Sequence, residues 1–396
     1  MNRRNFLRNT GLASATLFVP QFLSGFNQKG LKANGKNLVI IQWSGGNDGL
    51  NTVIPYRNDI YYKNRPSLAI DKKDVLKLND ELGFNPKMVG LKSLYDDGLV
   101  SVINNVGYPN PVRSHFRSMD IWHTASDSSE YWTTGWLGRY LDESCKNCDA
   151  HTALEIDDSL VLALKGNEKS GFAVSNPNQL KQTVRNPFLE KIAHHHDHEH
   201  EENVAYLYKT LIDTQASADY LYDQMRIYKT NVKYPATAVA NDLKKIAQLI
   251  VANTDTKIYY VNLSGFDTHV FQQNQQNRLL KQYSDAIQAF VKDLKQNQKL
   301  DDTLIMTFSE FGRRVKQNAS QGTDHGKANN VYFIGGKLEN PGIFNENPNL
   351  SDLNNGDLQY TVDFRKIYAS VLQDWLGVSP KSVLQHDFKP LNLIKT

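Results

Sequence analysis

Residues 38–52 read "LVIIQWSGGNDGLNT". An apolar, β-prone run reaches Trp43 and then stops in a cluster of small and polar residues, with Gly45, Gly46 and Gly49 set around Asn47 and Asp48. Glycines let the backbone turn sharply and let another group approach it closely, so a carboxylate among them is either a turn residue or a ligand. Two later strands decide between an isolated turn and a repeated design. "KIYYVNL" at 257–263 runs into "SGFDTH", with Asp267 and His269, and "TLIMTF" at 303–308 runs into "SEFGRR", with Glu310 and Arg313. Three apolar strands each deliver a carboxylate within a few residues of their end, and each loop carries a glycine.

Further strands are expected at 100–103 and 331–334, with helices at 204–228, 236–251, 276–295 and 364–376. Strands and helices alternating at this spacing predict an α/β sandwich around a mainly parallel sheet. In such sheets ligands bind beyond the carboxyl ends of the strands, where these loops lie. Asp267 and His269 stand two apart, so an extended chain projects both from one face. Carboxylate oxygen and imidazole nitrogen both suit zinc or manganese. "GTDHGKANNVYFIGG" at 322–336 adds Asp324 and His325 ahead of another strand.

After the strand "LVSVI" comes "NNVGYPNPVRSHFRSMDIWHT", with a helix expected to start near Ser114. A serine at a helix N-terminus lies in the positive end of the dipole among free N–H groups, which favours an alkoxide or a bound oxyanion, although serine is also a preferred cap. His115 competes with it for a direct role.

The ends and the composition set bounds. "MNRRNFLRNTGLASATLFVPQFLSGF" places Arg3 and Arg4 ahead of an apolar stretch, the order of a twin-arginine export signal, assigned to residues 1–34. Residues 35–396 then form the mature domain, with 186–234 as a helical, His-rich insertion. No later segment is apolar enough to span a membrane. With a formal charge of +3 and interspersed signs, the chain lacks a nucleic-acid face. Within the insertion, "HHHDHEHEEN" at 194–203 carries five histidines. Ligands on a solvated segment cannot hold a defined geometry, so this tract is read as a weak metal scavenger outside the active site. The only cysteines, Cys145 and Cys148 in "CKNC", lack a thioredoxin-like strand before them and read as a local disulfide formed after export or as idle thiols.

The ordered set "RRNFLR", "GGNDGLNT", "RSHF", "GWLGR", "GFDTH", "SEFGRR" and "GTDHG" resembles the bacterial exported family known as domain of unknown function 1501. Its members are similar to the alkaline phosphatase and sulfatase superfamily. The resemblance implies an alkaline-phosphatase-like three-layer sandwich, closed by the helix in "TVDFRKIYASVLQDWLGVSP". It implies Asp48, Asp267, His269, Glu310 and His325 as ligands of divalent metal, zinc first, with calcium, manganese or magnesium as alternatives. Ser114 would be the nucleophile, and Arg313 or Arg113 would face the oxyanion. Two departures stand out: the D-x-H spacing is short, and Glu310-Phe311 replaces an Asp-His, so Asp324 must substitute for a missing histidine. The sulfatase C/S-x-P-x-R signature is absent. The resulting expectation is an exported hydrolase or transferase of phosphate or related esters, small or polymer-linked, delivered to the periplasm or cell surface by the twin-arginine machinery. The alternative is a binding or scaffolding protein on the same fold.

Overall fold

The computed structural model describes residues 35–145, 148–185 and 202–395. The twin-arginine segment and most of the histidine tract lie outside the described residues. The strand that opens the domain, β1 (Asn37–Ser44), is buried along nearly its whole length. Its partners are β2 (Val100–Gly107), β3 (Ala153–Glu155), β4 (Phe172–Ala173), β5 (Ile258–Ser264), β6 (Thr303–Phe308), β7 (Asn329–Ile334), β8 (Gly342–Ile343) and β9 (Val362–Asp363). They form a nine-stranded sheet in the order β8-β2-β7-β6-β1-β5-β3-β4, with β9 also pairing β2. β1 is parallel to both β5 and β6. Of these strands only β7 runs against its neighbours, antiparallel to β6 and β2.

Two apolar layers cover the sheet, and alternation along β1 assigns its side chains to them. Val39, Ile41 and Trp43 pack against α1 (Val89–Asp96), α5 (Ala238–Val251) and α6 (Gln272–Gln296). Leu38 and Ile40 pack against α2 (His115–Thr124), α3 (Trp136–Ser144) and α7 (Phe364–Ser370). The protein is therefore a three-layer α/β sandwich with a mainly parallel sheet. Between α3 and α5 lies α4 (Glu202–Gln224). Trp43 is part of the core, stacked on Phe266 with ring centroids 5.2 Å apart and meeting the edge of Tyr283 at 4.7 Å. Cys145 and Cys148 are joined in a disulfide. Among the described residues, no helix is long and apolar enough to cross a membrane.

β7 explains how a motif that precedes a strand reaches the same rim as motifs that come after strands. Tyr332 opposes Thr307 and Ile334 opposes Ile305, so β7 starts where β6 ends. The "GTDHG" loop thus enters the sheet at the edge where the β1, β5 and β6 loops leave it.

Candidate metal centre

Register sets the first contact. Ser44 pairs with Ser264 at the ends of β1 and β5, which brings their loops side by side. Gly45, at φ +120°, lies so close to the second loop that a Cβ there would sit 2.3 Å from the Asp267 nitrogen. Gly46, at φ +70°, leaves room for the Phe311 ring, which a Cβ would strike at 2.2 Å. These two glycines answer to close approach and to left-handed backbone.

Arg313 ties the loops together. It is 2 % exposed, and its guanidinium donates to the carbonyls of Gly45, Gly46, Phe266 and Thr323 and to Asp267 Oδ1 at 2.8 Å. The expected catalytic role for Arg313 is corrected on this ground: its donors are committed to four carbonyls and one carboxylate, so it positions Asp267 and does not face a substrate. Arg113 is likewise engaged, by the buried Asp357.

Around Asp267 stand three imidazoles. His115 Nδ1 lies 2.8 Å from Glu310 Oε1, His325 Nδ1 lies 2.8 Å from the Arg113 carbonyl oxygen, and His269 Nδ1 lies 3.5 Å from Asp324 Oδ1. His115 and His325 are each held from behind by a hydrogen-bonded oxygen, and all three rings turn Nε2 toward Asp267 Oδ1, at 3.4 Å for His115, 3.2 Å for His325 and 3.0 Å for His269. The Nε2 atoms of His269 and His325 are 2.9 Å apart. An acceptor at Nδ1 of His115 and of His325 supports the tautomer that frees Nε2 for a metal, while His325 Nε2 also lies within hydrogen-bond distance, 3.2 Å, of Asp267 Oδ1.

The donor set fits a zinc-type ion. Bonds of about 2.0–2.1 Å in a tetrahedron require ligand atoms about 3.4 Å apart, close to the separations between these ring nitrogens and Asp267. His115, Asp267 and His325 have ligand atoms all within 4.8 Å of one another. Glu310, Asp267 and Asp324 bring three carboxylates against the one guanidinium of Arg313, an excess of negative charge suited to a divalent cation.

The electrostatics follow from these contacts. Burial acts against the Asp267 carboxylate, but hydrogen bonds from Arg313 and His325 outweigh it and hold its carboxyl at about 2. The Glu310 hydrogen bond raises His115 above the ordinary histidine value against the effect of burial. Burial lowers His325 despite its two acceptors. Phe311 forms the floor, its ring centroid 4.8 Å from that of His115 and 4.6 Å from that of His325.

Other residues singled out from the sequence take different places from those expected. Asp48, expected as a ligand, is engaged through one oxygen as an internal counter-ion: its Oδ2 pairs with Arg65 at 2.5 Å and accepts from Gln272 at 2.5 Å, with both charged side chains at most 1 % exposed, while its buried Oδ1 has no hydrogen-bond partner among the described residues. Glu310, expected as a ligand, is fully buried and accepts from Gly45 N–H, His115 and Ser309, so it stands behind the His115 ring. Asp324 stands behind His269 in the same way. His115, expected in catalysis, joins the ring of donors. Ser114 is exposed at the N-cap of α2 and makes no capping bond with its side chain, so its hydroxyl is left beside His115. Sequence reasoning did not find Arg65, because its tie to Asp48 spans two loops without a local pattern.

A family model described as "Protein of unknown function (DUF1501)" matches residues 35–386. The chain belongs to the DUF1501 family. No curated protein matches it. Among solved structures, this DUF1501 chain is similar to a protein in the alkaline phosphatase superfamily from Vibrio parahaemolyticus, at 13% identity and a TM-score of 0.39, covering 97% of this chain and 78% of that one. It is also similar to the lipoteichoic acid synthase LtaP from Listeria monocytogenes, at 10% identity and a TM-score of 0.37, covering 78% and 68%. A third is the C-terminal periplasmic domain of EcEptC from Escherichia coli in complex with Zn, at 10% identity and a TM-score of 0.36, covering 78% and 76%.

Proposed function

We propose that this protein is an exported, metal-dependent hydrolase or transferase acting on phosphate or sulfate-type esters. The observation that carries the reading is the convergence of three histidines, two of them anchored through Nδ1, on Asp267 at the carboxyl rim of the sheet. His115, His269, His325 and Asp267 would hold the ion, zinc first among the candidates. When bound, such an ion polarises an ester oxygen and lowers the pKa of a hydroxyl beside it.

The chain's own residues supply the rest. Ser114 presents a hydroxyl at the N-terminus of α2, where the helix dipole favours developing negative charge. Its oxygen would bond to phosphorus as the ester oxygen departs with the alcohol, and water or an acceptor hydroxyl would then take the group from serine. Glu310 and Asp324 orient His115 and His269. Phe311 excludes water from one side. Arg3 and Arg4 support export by the twin-arginine route, which carries folded proteins and would deliver the chain to the periplasm or cell surface.

One observation favours a second reading, a binding or scaffolding protein on the same fold. Asp48, the carboxylate at the end of the first strand, is paired through Oδ2 with Arg65 rather than turned toward the histidines. Metal analysis and turnover of an aryl phosphate separate the two. The enzyme reading expects Ser114→Ala to keep the metal and lose turnover, and His269→Ala to lose both. A full complement of metal with no turnover in the unaltered protein, across phosphate and sulfate esters, would leave the binding reading.

A further inference from the structure

The opposite rim of the sheet carries a separate group of donors. β3 runs parallel to β5 with Ala153 paired to Ile258, so the residues that precede the two strands meet at the amino edge: Asp149 and His151 before β3, Asp255 before β5. α4 closes this corner. Asp255 N–H donates to Tyr220 Oη at 3.0 Å, and the Tyr220 ring stacks on His151 with centroids 4.3 Å apart. Asp149, His151, Ser217, Tyr220 and Asp255 line an open cavity of about 240 Å³. The length of β5, seven residues at about 3.3 Å each, keeps this cavity about 20 Å from the loops of the first centre.

His151 is 5 % exposed, and its two ring nitrogens differ. Nδ1 lies 3.3 Å from Ser217 Oγ, whereas Nε2 is buried without a hydrogen-bond partner among the described residues and stands 3.8 Å from Asp149 Oδ2. A buried polar atom left unpaired costs free energy, and stacking on Tyr220 does not relieve it. Burial also lowers the affinity of the ring for a proton, despite the carboxylates of Asp149 and Asp255 nearby. The Ser217 contact supports the tautomer that frees Nε2. His115 Nε2 in the first centre is likewise buried without a partner, and Asp149-Ala150-His151 repeats the spacing of Asp267-Thr268-His269. Ligand atoms on a tetrahedral zinc-type ion stand about 3.4 Å apart. The 3.8 Å gap therefore admits a cation after a small shift of Asp149, whose side chain is 62 % exposed.

We propose that Asp149 and His151, with Asp255 across the cavity, form a second divalent-cation site, of the zinc or manganese type, remote from the ester chemistry. One imidazole with carboxylates is a competent donor set for either ion, and water completes the shell. Ser217 orients the ring from α4. The bound ion ties the turn before β3 to the turn before β5, at the corner that α4 covers.

Equilibrium dialysis of the full chain at a fixed micromolar free zinc, with the bound metal counted by atomic absorption, tests the site. Asp149→Asn and His151→Gln are each expected to hold about one zinc ion fewer than the unaltered protein. The histidine tract and the first centre contribute equally to all three proteins, so the difference reads this site alone. The Asp149 side chain stands largely in solvent, so its replacement keeps the fold, which circular dichroism verifies, and Asp149→Asn decides the matter if His151→Gln does not fold. Adding Asp149→Asn to His269→Ala should remove a further ion, which separates the two sites. Zinc content unchanged in Asp149→Asn, or no lower in the double variant than in His269→Ala alone, overturns the proposal and leaves the reading of the first centre standing.

Discussion

Replacing Asp48 with Asn separates a ligand from an internal counter-ion. Arg65 is fully buried, and among the described residues it donates, besides Asp48, only to the Val315 and Arg314 carbonyls and to Asn51 Oδ1. Asparagine keeps the shape but removes the charge; Arg65 and Gln272 both donate to Oδ2, so the amide oxygen can take that place and the guanidinium loses its counter-charge rather than its acceptor. Breaking a buried pair by removing one partner costs about 3–5 kcal/mol. One carbonyl oxygen survives, so the lower end, about 3 kcal/mol, is expected. With a urea slope of about 3 kcal/mol/M, this shifts the unfolding midpoint of the metal-free protein by about 1 M. Zinc content after dialysis should be unchanged. A double variant, D48N with Arg65→Met, should lose less stability than the sum of the single losses, since neither charge is then buried alone. Loss of zinc from D48N with the urea midpoint unmoved would refute the placement of Asp48 outside the centre.

Glu310→Gln should weaken zinc binding about 10- to 100-fold, the usual effect of removing a partner that orients a metal-binding histidine. Competition with a chromophoric chelator measures it, and an unchanged affinity would contradict the role given to Glu310. Glu155 on β3 supplies a pH dependence far from the centre. Burial, partly opposed by a hydrogen bond from Val161 N–H, raises its carboxyl to about 8. Between the ordinary carboxylate value and about 8, the folded chain keeps this proton and the unfolded chain has released it. Its contribution is therefore fully present at acid pH and is lost as pH rises through that window, at a slope of up to about 1.4 kcal/mol per pH unit. Glu155→Gln should remove this slope and raise stability at pH 8; urea melts at pH 5, 6.5 and 8 that run parallel for both proteins would count against it.

The sandwich was legible in the sequence because apolar strands and amphipathic helices alternate with few interruptions. The strands at 257–263 and 303–308 fall close to β5 and β6. β3 and β4 went unread, being three and two residues long, too short to show periodicity. Asp267, His269 and His325 were legible as donors because loops at strand ends are where an α/β sheet puts ligands. The parts assigned to the remaining acids were not. Whether a carboxylate ligates an ion, backs a histidine or pairs with an arginine depends on the direction of its side chain. Asp48 and Glu310 each come closely after a strand, yet Asp48 turns to Arg65 and Glu310 turns beneath Gly45 and His115. Those partners lie 17, 265 and 195 residues away. His115 was seen but placed in catalysis, because only the fold brings it against Asp267.

The anchoring of His325 by the Arg113 carbonyl spans 212 residues. Closing a loop of that length brings no gain until the strands between its ends have paired, so the donor ring is among the last parts of the molecule to assemble. The chain must therefore reach its three-layer form without help from the ion, unlike small domains in which metal directs folding. The ion proposed for the centre would then act as a late lock on a finished scaffold, adding stability by mass action in proportion to the logarithm of free metal. On the proposed function, a shortage of metal would leave folded, empty protein rather than unfolded chain.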